Sequence, residues 1–309
     1  VIASKLYKFF ASVFVPDVAK NMDKEGTFNL GEEHDVDVDA HPHVVVEDNG
    51  SDVTIFSFAG MAVLFAGMPT FEFRKLLKEG GKDYNLVFFR DVRRSAYLQR
   101  PDGQLDGLNF YESEVRRIIN ELGSTYNIGM GASVGGAAAM YLGLQCKFDQ
   151  LIMFSPVLHR DVYTRPTRVM RHIFDVPTLI REPQAYMEVS LMTLGALAIR
   201  GKVQKMVGLK NWVNVGQAYV EYGENRPLAT IYHGRRCSPD CITAARLKHL
   251  PEVKVVEVET GRHNCAAIVK KTGTMGQLIL DEIEWGLGQR GPSTRREAAP
   301  EPAAHTQQA

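Results

Sequence analysis

The sequence is short of several features that mark whole classes of protein. Its 309 residues include only four cysteines, Cys146, Cys237, Cys241 and Cys265. They show no regular spacing, so no disulfide framework is expected and a reducing compartment is the simpler reading. Cys237 and Cys241 stand four apart, but no CxxC pair or His-x-x-x-His partner accompanies them, and no metal site is expected there. Charge of one sign is not in excess either. The 36 Lys plus Arg balance 36 Asp plus Glu, which leaves no basic surplus for a nucleic-acid backbone. No apolar run reaches about 18 residues, so neither a membrane-spanning helix nor a membrane partner is expected. Internal repeats are absent.

What remains is ordinary globular composition, 45% apolar and 23% charged, with length enough for a large core. A prior of about 150 residues per domain suggests two units, although single α/β domains with insertions reach this size. The segment Val1 to Val15 is interrupted by Lys5 and Lys8 and has no following Ala-x-Ala site. It reads as an amphipathic helix and the chain as cytoplasmic, with a trimmed secreted form left open. The acidic stretch Glu32 to Asp39 runs into His41-Pro42-His43. Histidines among carboxylates raise the question of a metal, but no recognised ligand spacing is present, and a solvated edge strand and turn is the reading adopted.

From there strand and helix alternate. Strands are expected at His43–Glu47, Val53–Phe58, Tyr84–Arg90, Tyr126–Met130 and Gln150–Phe154. Helices are expected at Thr70–Glu79, Glu112–Leu122 and Val134–Leu144. This order predicts a parallel sheet with helices on its faces. The rhythm breaks after Ser155-Pro156, where residues 157–226 read as mostly helical, and resumes with strand Leu228–Tyr232. Helix Cys241–Leu250, strand Val253–Val258 and a helix near Gly276–Trp285 then follow. The expected organisation is therefore a core of residues 1–156 and 227–287, an inserted helical cap over 157–226, and a disordered tail over 288–309 rich in Gly, Pro, Ala and polar residues.

The informative motif is Gly131-Ala132-Ser133-Val134-Gly135. G-x-S-x-G alone is a loose pattern, but here it follows an apolar strand and opens a helix beginning Val134-Gly135-Gly136-Ala137. A serine on such a bend is exposed at the strand's carboxyl end, and its neighbours must be small because helix and strand approach closely. Helix capping by the serine is the competing explanation. A serine nucleophile needs a base, normally a histidine oriented by a carboxylate. His263, in the loop Thr260-Gly261-Arg262-His263-Asn264 after a strand, is the candidate base; His233 adjoins Gly234 in an expected turn. Asp240 is the candidate carboxylate, with a helix N-cap as its competing role, and Asp161 and Asp175 are fallbacks.

The succession Ser133, Asp240, His263, each after a strand, resembles the α/β-hydrolase superfamily over roughly Val44 to Leu287. Phe58-Ala59-Gly60-Met61 resembles its His-Gly-x oxyanion segment, and Asp91-Val92-Arg93 its D-x-R turn. The resemblance implies a mostly parallel twisted sheet flanked by helices, with a cap inserted after the strand that follows the nucleophile helix. It also implies backbone N–H donors at Val134 and Met61 for a carbonyl oxygen becoming an anion. Asp91 and Arg93 are read as structural. Met187, Met192 and Trp212, in the insertion, are candidates for an apolar substrate pocket, with ordinary helix packing as the alternative.

The function expected is that of a carboxylic ester hydrolase acting on a small, moderately apolar ester through an acyl-enzyme, with no cofactor and no metal. A thioesterase, an acyltransferase, a lyase or a cofactor-free haloperoxidase would use the same scaffold, and a non-enzymatic binding protein is the remaining alternative. Nothing in the sequence sets the oligomeric state.

Overall fold

Seven strands make one sheet in the computed structural model, which describes residues 42–60, 71–80, 83–159, 175–190, 192 and 214–290. They are β1 (Val44–Glu47), β2 (Val53–Phe58), β3 (Asn85–Phe89), β4 (Tyr126–Ala132), β5 (Gln150–Phe154), β6 (Leu228–Gly234) and β7 (Val253–Val258). Their spatial order is β1-β3-β2-β4-β5-β6-β7. Only β1 runs antiparallel, against β3; every other neighbouring pair is parallel. The chain steps from β2 outward to β3, then returns across β2 to β4 and continues the other way. Strand order therefore reverses between β2 and β4, and the crevice outside the carboxyl ends of two such strands is where open α/β sheets bind ligands.

Alternation along each strand separates two cores. Phe56, Phe58, Val87, Phe89 and Met153 face one side with helices α2 (Gly107–Leu122), α3 (Val134–Gln145) and a later helix at Val215–Glu221. Ile55, Leu86, Phe88, Ile128, Met130, Ile152 and Phe154 face the other, where Cys265, Val269, Met275, Ile279 and Ile283 cover them. This period of two on strands buried on both faces explains the near-continuous apolar runs of the central strands. β7 is different: it is an edge strand with Lys254 and Glu257 exposed, which protects its open side from further pairing.

Strands β2, β5 and β7 have the bounds expected of them, while several helices do not. The helix expected from Thr70 is α1 (Arg74–Glu79), because Phe73 takes a left-handed φ of 62°. α2 begins at Gly107, five residues before Glu112. In the inserted segment α4 covers Val176–Arg181, residues 183–190 form α5, and α6 is the helix at Val215–Glu221. The helix expected at Cys241–Leu250 is α7 (Ser238–Leu247), since Pro239 lies in its first turn, where a missing N–H costs nothing. α8 spans Cys265–Lys271, and α9, Met275–Arg290, continues past Gly286.

His43 packs its ring 5.3 Å from that of Phe110, and burial foremost pushes its imidazole down. The rest of the acidic stretch, Val1–Val15, the residues beyond Arg290 and Asp161 lie outside the described residues. Among the described residues no helix is long and apolar enough to cross a membrane.

Candidate active site

The bend at Ser133 is built by close packing. Ser133 joins β4 to α3 with φ 54° and ψ −120°, a conformation costly for any residue with a side chain. Three main-chain bonds hold it there. The Ser133 N–H donates to the Phe154 carbonyl at 2.9 Å, and the Ser133 carbonyl accepts from Val157 at 3.0 Å and from Ala137 at 3.3 Å. A Cβ at Gly135 would overlap the Phe58 carbonyl, and one at Gly131 would overlap the backbone of Gly135. The glycines of the motif are thus demanded by contact between β2, β4 and α3. Ser133 caps nothing: its side chain makes no cap bond to α3. Val134, the first residue of α3, has its N–H at the end of the helix where amides lack intrahelical partners.

Three side chains predicted from separate stretches meet here. His263 Nε2 lies 2.9 Å from Ser133 Oγ, and His263 Nδ1 lies 2.8 Å from Asp240 Oδ1. Asp240 is not the N-cap of α7; that position is Cys237, and Asp240 sits in the first turn, buried, where the helix dipole favours a negative charge. Burial alone would push the His263 imidazole down. The Asp240 carboxylate, with a contribution from Glu188, outweighs burial and holds it above its ordinary value. The Asp240–Nδ1 contact also fixes the tautomer that leaves Nε2 free to accept a proton from Ser133. The carboxylate that orients the ring is Asp240 rather than Asp175, which caps α4 through Thr178.

Other predicted residues fall elsewhere. His233 belongs to β6 itself rather than to a turn after it, with its Nδ1 3.1 Å from the Gly234 carbonyl. Asp91 is structural: its Oδ2 accepts from the Ser95 and Tyr97 N–H groups at 2.6 and 2.9 Å. These bonds stabilise a turn in which Arg94, Ala96 and Tyr97 all have positive φ. The turn delivers the Tyr97 hydroxyl to the Ala59 carbonyl at 2.9 Å, at the end of β2. Arg93 donates to the Pro101 carbonyl. Met187 lies on α5 and Met192 just beyond it, both half-buried. Met61 and Trp212 lie outside the described residues.

Two features escaped the sequence reading. Glu72 turns its carboxyl inward behind the bend, where it accepts backbone N–H bonds from Gly60 and Ala132. The Ser57 hydroxyl donates to its carbonyl at 2.9 Å. The residue keeps some surface, but Oε2 is enclosed and has no hydrogen-bond partner, and burial raises the carboxyl to about 7. The second feature is Cys237, whose thiol lies against Asp240 and is pushed well up by burial and then by that charge. Cys237, Asp240 and His263 form one group, among the described residues, with ligand-type atoms within 4.8 Å. All three are already engaged, the Cys237 thiol with Asp240, Asp240 with His263, and His263 with Ser133 as well.

A seven-stranded sheet reversing at β2/β4, a strained serine between β4 and α3, and a histidine after the last strand together decide the architecture. This is the α/β-hydrolase fold. No family model matches the chain, and no curated protein matches it. Solved structures similar to it include a carboxylesterase of the thaumarchaeon Nitrososphaera gargenis, with 13% identity, TM-score 0.48, 80% of this chain and 96% of that one. MenH from S. aureus has 13% identity and TM-score 0.49, covering 79% of this chain and 99% of its own. The capsule O-acetyltransferase of Neisseria meningitidis serogroup A has 16% identity and TM-score 0.43, over 78% and 90%. At these identities and scores the likenesses bear on neither activity nor substrate.

Proposed function

We propose that the protein is a serine hydrolase that cleaves a carboxylic ester of moderately apolar character through an acyl-enzyme. The observation that carries this reading is the unbroken line of contacts from Ser133 Oγ through the imidazole to Asp240, at 2.9 and 2.8 Å. Ser133 Oγ attacks the ester carbonyl carbon while His263 Nε2 takes its proton. The tetrahedral oxyanion is received by the N–H groups of Val134 and Met61, each worth about 3 kcal/mol of barrier. The C–O bond to the alcohol breaks as His263 returns the proton to the leaving oxygen. Water, deprotonated by the same nitrogen, then releases the acid and restores the serine. Asp240 keeps the ring in place and stabilises its charged form. The reaction draws on no metal or cofactor.

Residues 157–226 form the cap in this reading, with Met187, Met192 and Trp212 as its apolar contacts to substrate. The thiols, three of them buried and none bridged, suit a reducing cytoplasm. The test is p-nitrophenyl ester turnover in the wild type and in Ser133→Ala. Loss of at least about 10⁴-fold in kcat with an unchanged melting temperature is expected. Turnover that persists in the variant overturns the reading. Product analysis with an added acceptor alcohol separates hydrolysis from acyl transfer on the same serine.

A further inference from the structure

The loop that carries His263 is gripped from the inserted segment. Glu188, on α5, accepts from Arg262 Nε at 2.6 Å with one carboxylate oxygen and from the Asn264 N–H at 2.5 Å with the other. Those two residues flank His263. The pair is almost withdrawn from water, with 6% of the Arg262 side chain and 12% of the Glu188 side chain exposed. Just before α5, Glu182 accepts from the Gly261 N–H at 2.9 Å and pairs with Arg236. A Cβ at Gly261 would lie 2.6 Å from Glu182 Oε2, so the loop's glycine makes room for that carboxylate. Residues 261, 262 and 264 are all held by α5 and its approach, while the intervening imidazole is left to Ser133 and Asp240.

We propose that Glu188 is a positioning residue, by which the inserted segment fixes the peptide on both sides of His263 and so places the imidazole between Ser133 and Asp240. The rate consequences rest on the ester-hydrolase reading. A displacement of about 1 Å at such a group is enough to cost roughly 100-fold in rate. The charge of Glu188 acts on the same ring. The charged groups that act on the imidazole are Asp240 from α7 and Glu188 from α5; the Cys237 thiol, at the cap of α7, is within 4.8 Å, and Arg262 and Cys265 are its near neighbours along the chain. Removing the Glu188 charge takes away one of the two carboxylates that favour the imidazolium, so the charged ring is disfavoured.

Two substitutions separate placement from charge. Glu188→Gln retains an oxygen for the Asn264 N–H and loses the charge, whereas Glu188→Ala loses both. In Glu188→Ala, kcat for a p-nitrophenyl ester should fall by about 10- to 100-fold with KM within about threefold. Glu188→Gln should recover most of that kcat while the acidic limb of kcat/KM moves to lower pH. In the resting protein, the NMR titration of ring-labelled His263 should move to lower pH in Glu188→Gln; this needs no substrate. If Glu188→Ala does not fold, Glu188→Gln decides alone through the two pH readouts. A His263 titration and an acidic limb unchanged from wild type in Glu188→Gln overturn the proposal, as does undiminished kcat in folded Glu188→Ala. Absence of any serine-dependent turnover in the wild type would instead overturn the hydrolase reading, and the His263 titration would still decide the role of Glu188.

Discussion

Ser133 stands where main-chain packing leaves no alternative, between glycines that admit the Phe58 carbonyl and the turn of α3, and within three backbone hydrogen bonds. His263 stands on a loop after an edge strand, and what holds it is polar: Asp240 on one side, with Glu188 and Glu182 gripping the peptides around it. The first support is steric and local, arising from β2, β4 and α3. The second depends on side chains 23 to 79 residues earlier in the chain, and it is electrostatic. Steric support fails all at once when an atom is added, whereas polar support weakens in steps and responds to pH.

Breaking the steric side should have the largest effect. Gly135→Ala places a methyl group on the Phe58 carbonyl, so β2 and α3 must part. A loss of at least about 3 kcal/mol is expected, with no labelling of Ser133 by a fluorophosphonate. Denaturant melting and intact-mass labelling check both. Next comes the polar side. Asp240→Asn keeps the shape of the site but inverts the tautomer, with about a 10⁴-fold fall in kcat and little change in folding. The wild-type sign is set by the raised His263 imidazole: ester turnover should climb with pH through a midpoint above the ordinary value of 6.5. The Asp240→Asn midpoint should lie below that of the wild type. A pH–rate series on both proteins measures this, and coincident limbs would remove Asp240 from its role.

The smallest effect sharpens the comparison between the two sides, because Glu72 is a titrating group within the steric one. With the carboxyl raised to about 7, the folded protein holds a proton that the unfolded chain has already released near the ordinary value of 4.5. Stability from this group is therefore lost as pH rises between those values, by on the order of 3 kcal/mol. Glu72→Gln should remove that slope, so the stability difference between wild type and variant should change across this range. A difference that stays flat from pH 4 to 8 would show that the carboxyl does not titrate as placed.

How much of this was legible follows the same division. β2, β5 and β7 were readable because apolar runs bounded by turn residues leave little freedom, and Ser133 because glycines at fixed offsets report a backbone crossing. Asp240 and His263 were readable from strand order, each lying beyond a strand's carboxyl end. Helix starts were harder. Pro239 suited the first turn of α7 rather than the loop before it, and α2 begins at Gly107, packed beneath Tyr97 and Leu98. Glu72 and Glu188 were beyond reach. Both look like surface glutamates in the sequence, and only the tertiary structure brings one behind the bend and the other onto the histidine loop.

The torsion of Ser133 has a consequence for the life of the chain before it is complete. A residue relaxes from φ 54° unless β5 and α3 are seated around it, since the Phe154 carbonyl and the Val157 and Ala137 N–H groups are what hold Ser133. The hydroxyl is therefore presented to the imidazole only after the sheet has closed over 20 residues downstream of it. In nascent or misassembled molecules the Ser133 backbone is free to relax, and the contact between hydroxyl and imidazole is a product of assembly itself.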